Sequence, residues 1–122
     1  MIRVLYVDDE EDIRTIVDFA LRLDPDFACR LAGSVGEARA VIAEGWRPDI
    51  VMVDVMMPGE GGGVLLQLVK DDPQLAAIPV VLVTASAQAR DLERYREAGA
   101  DGVIRKPFDP LELASRVRGY LR

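Results

Sequence analysis

The chain contains no histidine and only one cysteine, Cys29, among its 122 residues. Without histidine there is no Ser-His-Asp or Cys-His catalytic unit and no imidazole metal site. One thiol cannot close an internal disulfide or build a cysteine zinc cluster, which fits a reducing compartment. Any bound metal is therefore expected to be a hard cation held by oxygens. No apolar run approaches the ~20 residues of a membrane span. The N-terminal stretch Met1–Val7 turns acidic at Asp8-Asp9, where a secretory signal would present its cleavage site. Positive charge is also scarce, with 15 Lys+Arg against 21 Asp+Glu and a formal net charge of −6. Such a surface repels phosphate backbones, so direct nucleic-acid binding by this chain is not expected. With half its residues hydrophobic, the chain reads as a soluble, cytoplasmic, single domain over residues 1–122, without a membrane partner.

Five β-rich apolar runs follow one another: Ile2–Val7, Phe27–Ala32, Asp49–Val53, Pro79–Val83 and Asp101–Ile104. Val51-Met52-Val53 and Val80-Val81-Leu82-Val83 are continuously apolar, the pattern of strands buried on both faces of a parallel sheet. A helical stripe lies after each run. The first carries Ile13, Ile16, Val17, Ala20 and Leu21. The second opens on a Ser34/Glu37 capping box, passes Ala38, Val41 and Ile42, and stops near Gly45. The third holds Leu65, Leu66, Leu68 and Val69 and closes at Asp71-Asp72-Pro73. The fourth spans residues 88–98 with Leu92 and Tyr95 inward, stopped by Gly99. The fifth is expected to start at Asp109-Pro110, with Glu112 completing a box and Leu113, Ala114, Val117 and Leu121 inward. Five β-α units in strict alternation predict an α/β fold, a doubly wound five-stranded parallel sheet with helices on both faces.

In such a sheet, ligands bind beyond the carboxyl ends of the strands. Strand one ends in Asp8-Asp9-Glu10, strand three in Asp54, strand four in Thr84 and strand five in Lys106. Strands one, three, four and five lie side by side in a doubly wound sheet, so these groups share one edge. Crowded carboxylates cannot all stay ionised without compensation. Oxygen ligands with room for waters suit Mg²⁺. With Lys106 and Thr84 nearby, the set forms a cradle for a phosphoryl group and makes Asp54 the nucleophile. Each residue alone has a plainer explanation, such as a helix cap, a turn before Pro58 or a solvated surface charge. Their joint appearance at four strand ends does not. Gly59-Glu60-Gly61-Gly62-Gly63 lacks the Lys-Ser/Thr of a P-loop and the spacing of a dinucleotide loop; it reads as a flexible turn before the third helix.

These residues resemble the receiver domain of two-component response regulators, over essentially the whole chain. The marks are Val7-Asp8-Asp9-Glu10, Asp54-Val55-Met56-Met57-Pro58-Gly59, Val83-Thr84-Ala85, Gly99-Ala100-Asp101-Gly102 and Lys106-Pro107-Phe108. The resemblance implies a flavodoxin-like (βα)5 sheet with strand order 2-1-3-4-5. It implies that Asp54 accepts a phosphoryl group from the phosphohistidine of a sensor histidine kinase or histidine phosphotransfer protein. Asp9, Asp54 and the backbone carbonyl of Met56 would bind Mg²⁺ directly, and Asp8 through water. Thr84 and Lys106 would contact the phosphoryl oxygens and act as switch residues, and the Lys106-Pro107 bond would be cis. Met56 and Ser86 sit where similar domains tune phosphoryl lifetime. Val103 stands where many receivers carry an aromatic switch residue, which leaves the usual rotamer change coupled to Thr84 without its ring. Gly61 replaces an acidic residue often found after Pro58.

A phosphorylation-switched signalling module is therefore expected rather than an enzyme, with self-phosphorylation from small donors and slow autodephosphorylation. Its output would be the face of the fourth helix, fifth strand and fifth helix. That face would serve a downstream protein target, a covalently linked output domain or a homodimer. The fold also accommodates a Mg²⁺-dependent aspartyl-phosphate phosphohydrolase, whose Asp-x-Asp arrangement is missing at Asp54-Val55-Met56, and a phosphorylation-independent scaffold.

Overall fold

The computed structural model describes residues 1–59, 61–85 and 88–121. The described elements alternate as β1 (Ile2–Val7), α1 (Glu11–Arg22), β2 (Phe27–Ala32), α2 (Val35–Ala43), β3 (Ile50–Asp54), α3 (Gly62–Asp71), β4 (Val80–Thr84), α4 (Ala89–Glu97), β5 (Gly102–Arg105) and α5 (Leu113–Arg118). The strands form one parallel sheet in the order β2-β1-β3-β4-β5. This is the arrangement read from the alternation and the resemblance. Every residue of β3 and β4 is buried, as expected of central parallel strands covered on both faces.

Strand periodicity sorts the core into two layers. Leu5, Val7, Val51, Val53 and Leu82 face α2 and α3, where Val35, Ala38, Leu65, Leu66 and Val69 pack. Val4, Tyr6, Ile50, Met52, Val81, Val83 and Ile104 face α1 and α5, where Val17, Ala20, Leu21, Leu113 and Val117 pack. α4 buries no residue fully, and its Leu92 and Tyr95 are only half-buried.

Local chemistry marks three of the helix ends. Ser34 Oγ accepts the Glu37 backbone N–H at 3.1 Å, the N-cap of α2. Gly45 and Gly99, at φ of 94° and 103°, follow α2 and α4 in the left-handed region that glycine enters freely. β3, β4 and β5 each lie one residue later than the expected runs, and two helix expectations shift. Ile16 is 42% exposed rather than part of the α1 stripe; the buried arc runs Val17, Ala20 and Leu21, and Ile16 falls at its margin. α5 begins at Leu113, not at Asp109-Pro110. Asp109 does cap, but it caps a turn: its side chain accepts the Leu111 N–H at 2.9 Å and its carbonyl the Glu112 N–H at 3.0 Å.

Cys29 lies half-buried on β2 against the α1 side of the sheet. Burial, with a smaller contribution from the Asp18 charge, pushes its thiol up to about 12 from a usual 9.0. The folded chain keeps the proton while the unfolded chain releases it above pH 9, so stability falls as pH climbs from 9.0 towards about 12. Urea unfolding at stepped alkaline pH should show wild type losing up to about 1.4 kcal/mol per pH unit relative to Cys29→Ala. Parallel curves would contradict this burial effect.

Candidate functional site

Asp8, Asp54 and Lys106 each lie two residues beyond a side chain of the α1-facing layer: Tyr6, Met52 and Ile104. That parity turns all three side chains to the same side at the carboxyl edge of the sheet. The Lys106 ammonium sits between two carboxylates. It donates to Asp8 Oδ2 at 2.9 Å and to Asp54 Oδ2 at 2.8 Å. Asp8 is fully buried and Asp54 is 4% exposed. Glu10 Oε1 stands 4.0 Å from the same ammonium, at the solvent-exposed mouth.

Backbone and neighbouring side chains hold the two carboxylates. Asp8 Oδ1 accepts the Glu10 backbone N–H at 3.0 Å, and Asp8 Oδ2 accepts the Tyr6 hydroxyl at 2.8 Å. Arg14 donates to the Asp8 carbonyl at 2.7 Å, tying α1 to the end of β1. Asp54 Oδ1 accepts the Met56 N–H at 2.9 Å. Gly62 opens α3 directly beneath this turn; a Cβ there would come within 2.7 Å of the Asp54 carbonyl oxygen. The last glycines of the Gly-rich stretch thus do more than start a helix, because Gly62 lets α3 approach the backbone of β3.

Burial is the largest influence on Asp54 and raises its pKa above the ordinary carboxylate value, with the Asp8 charge adding to it; Lys106 and the Met56 N–H pull the other way. For Lys106, burial disfavours the charge, but hydrogen bonds and charges from Asp54 and Asp8 outweigh it and hold its pKa above the usual lysine value. Lys106 therefore stays a cation.

Thr84 ends β4 with 2% exposure. Its carbonyl accepts the Lys106 N–H at 2.8 Å, which ties the two strand ends together. The Lys106-Pro107 peptide is cis, as expected. Met56 is 77% exposed at the mouth; Ser86 lies outside the described residues. Val103 is half-buried on β5. The Tyr120 ring lies beside this strand: a Cβ at Gly102 would overlap it, and the Tyr120 hydroxyl donates to the Val103 carbonyl at 3.4 Å.

Among the described residues, carboxylate oxygens of Asp8, Glu10 and Asp54 lie within 4.8 Å of one another. An all-oxygen set crowded in this way fits a hard divalent cation. Asp9, expected as a direct ligand, is exposed and outside this group; it lies past the end of β1, where the chain turns into α1. Sequence reading missed Tyr6. The signal available was a phenol two residues before Asp8 on the same face of β1, in a run that otherwise reads as apolar core.

Residues 4–118 match the family described as response regulator receiver domain. The chain is 36% identical over 119 residues to the phosphate regulon transcriptional regulatory protein PhoB of Pseudomonas aeruginosa, covering 98% of this chain and 51% of that protein. It is 36% identical to the DNA-binding dual master transcriptional regulator RpaA of Synechocystis, covering 100% of this chain and 50% of RpaA. The chain thus spans about half the length of these curated relatives. The chemotaxis protein CheY4 of Vibrio cholerae superimposes with a TM-score of 0.90 at 30% identity, covering 99% of both chains.

The two buried carboxylates make Lys106 a structural as well as a chemical requirement. Removing one partner of a buried ion pair leaves uncompensated charge in a poorly solvated site. Lys106→Met is expected to lose about 3 kcal/mol of unfolding free energy in urea without divalent cations. A loss under ~0.5 kcal/mol, the scale of an exposed pair, would contradict this view of the site.

Proposed function

The chain belongs to the response regulator receiver domain family, and from that premise we propose that Asp54 accepts a phosphoryl group from a phosphohistidine on a sensor histidine kinase or histidine phosphotransfer protein. The observation that carries the reading is Lys106 bridging buried Asp8 and Asp54 at 2.9 and 2.8 Å at the carboxyl edge of the sheet. With no histidine of its own, the chain takes the acceptor role. An Asp54 oxygen forms the new P–O bond while the donor's P–N bond breaks and the imidazole leaves with the bonding pair. Lys106 passes its hydrogen bond from Asp54 to a phosphoryl oxygen, and the Thr84 hydroxyl meets another. Small phosphoryl donors serve by the same geometry. Release to water is slow, with Met56 and Ser86 setting the lifetime.

Bound Mg²⁺ would offset negative charge on the transferring group. Asp9, Asp54 and the Met56 carbonyl would hold it directly, and Asp8 through water. Asp8 suits the indirect role because it is fully buried and, among the described residues, its carboxylate accepts three protein donors, against two for Asp54. Asp9 lies on the same loop at the exposed mouth. Output would leave through α4, β5 and α5, towards a downstream protein, a linked output domain or a second copy. A cavity of about 530 Å³ lies there, lined by Leu92, Val103 and Tyr120 together with Arg96, Arg105 and Arg116.

With Mg²⁺ and acetyl phosphate or beryllofluoride, wild type should form an adduct that mass spectrometry or fluorine NMR assigns to Asp54, and Asp54→Asn should form none. An adduct that survives Asp54→Asn would overturn the reading. For the cation, calorimetric titration should show Asp9→Asn weakening Mg²⁺ more than tenfold and Glu10→Gln only a few-fold. The reverse order would place Glu10, not Asp9, among the direct ligands.

A further inference from the structure

We propose that Tyr6 is a positioning residue for the acidic centre: its hydroxyl anchors Asp8 independently of Lys106, so that Asp8 keeps its place when the lysine is drawn to an incoming phosphoryl group. The inference rests on the phosphoacceptor reading of Asp54. Asp8 Oδ2 has two donors, the Tyr6 hydroxyl at 2.8 Å and the Lys106 ammonium at 2.9 Å. They differ in freedom. The lysine reaches in from the end of β5 on a flexible stem and is shared with Asp54 at 2.8 Å. The Tyr6 ring is fully buried among Val17, Met52, Val83 and Ile104, so packing fixes where its hydroxyl points.

Phosphoryl transfer calls the lysine away. Lys106 would also be repelled by a divalent cation held beside Asp8 and Asp54. Asp8 would then lose a donor in a site with no solvent exposure, where an unpaired carboxylate oxygen is costly. A donor that does not depend on Lys106 removes that cost and stops the carboxylate from rotating. A phenol, with an ordinary pKa of about 10, keeps its proton at neutral pH, so the hydroxyl remains a donor. β1 supplies the geometry directly: residues 6 and 8 share a face of the strand, and a phenol is long enough to span the two positions.

Tyr6→Phe removes the hydroxyl and keeps the ring. Calorimetric Mg²⁺ titration of the folded variant should show Kd raised about tenfold, the low end of the cost of losing a hydrogen bond behind a metal site. The beryllofluoride adduct should need correspondingly more Mg²⁺. A folded Tyr6→Phe with wild-type or tighter Mg²⁺ affinity overturns the proposal, even if its urea midpoint falls, since that is all a merely structural hydroxyl would do. If the variant does not fold, wild type decides. With ¹³C-labelled tyrosine, the Tyr6 Cζ resonance should move with the same Mg²⁺ midpoint as the Asp54 carboxylate; a resonance unmoved at saturating Mg²⁺ overturns the proposal. Wild type that neither binds Mg²⁺ nor forms an adduct would instead sink the phosphoacceptor reading and this inference with it.

Discussion

A single ammonium between two buried carboxylates constrains the whole site. At an effective dielectric near 20, unit charges 4 Å apart interact by about 4 kcal/mol. Asp8 and Asp54 therefore could not share the sheet edge unaided, and Lys106 makes their proximity tolerable. One positive charge against two leaves the pocket negative, and Glu10 and Asp9 at the mouth add to that excess. The site is assembled with a deficit of positive charge that a divalent cation can fill. That deficit accounts locally for part of the −6 net charge.

The rest of the molecule serves to hold those three groups at one edge. The strand order puts β1 and β4 on either side of β3, with β5 beyond β4. The register then sets Asp54 opposite Val83, and Thr84 opposite Arg105, the residue before Lys106. Arg14 ties α1 to the Asp8 backbone, and Gly62 lets α3 approach the Asp54 carbonyl. On the far side, Arg118 of α5 reaches Asp24 and Asp26 at 2.8 Å and lies over Phe27 at 5.2 Å, linking the last helix to the segment before β2.

Much of this was legible in the residues, for identifiable reasons. Short, β-branched apolar runs such as Val80–Val83, alternating with helical stripes, read as central parallel strands, and the topology then places Asp54, Thr84 and Lys106 at one end. Harder to read were features decided by orientation. Asp8 and Asp9 are chemically identical, and only the path of the chain past β1 separates the buried carboxylate from the exposed one. Tyr6 reads as core because its ring is core; the function lies in one hydroxyl whose target depends on packing. The start of α5 moved because Asp109 can cap a turn as readily as a helix, and Leu111, 81% exposed, gives no apolar reason to extend the helix back to it.

The central claim is that Asp54 and its neighbours form one charge-compensated site completed by a divalent cation, and its most direct test is linkage. Unfolding free energy should be measured in urea with and without Mg²⁺ for wild type and for Asp54→Asn. At ten times its dissociation constant, a cation bound only by the folded state adds about 1.4 kcal/mol. Wild type should show that gain, and Asp54→Asn should lose most of it. An equal Mg²⁺ gain in both proteins would contradict that claim.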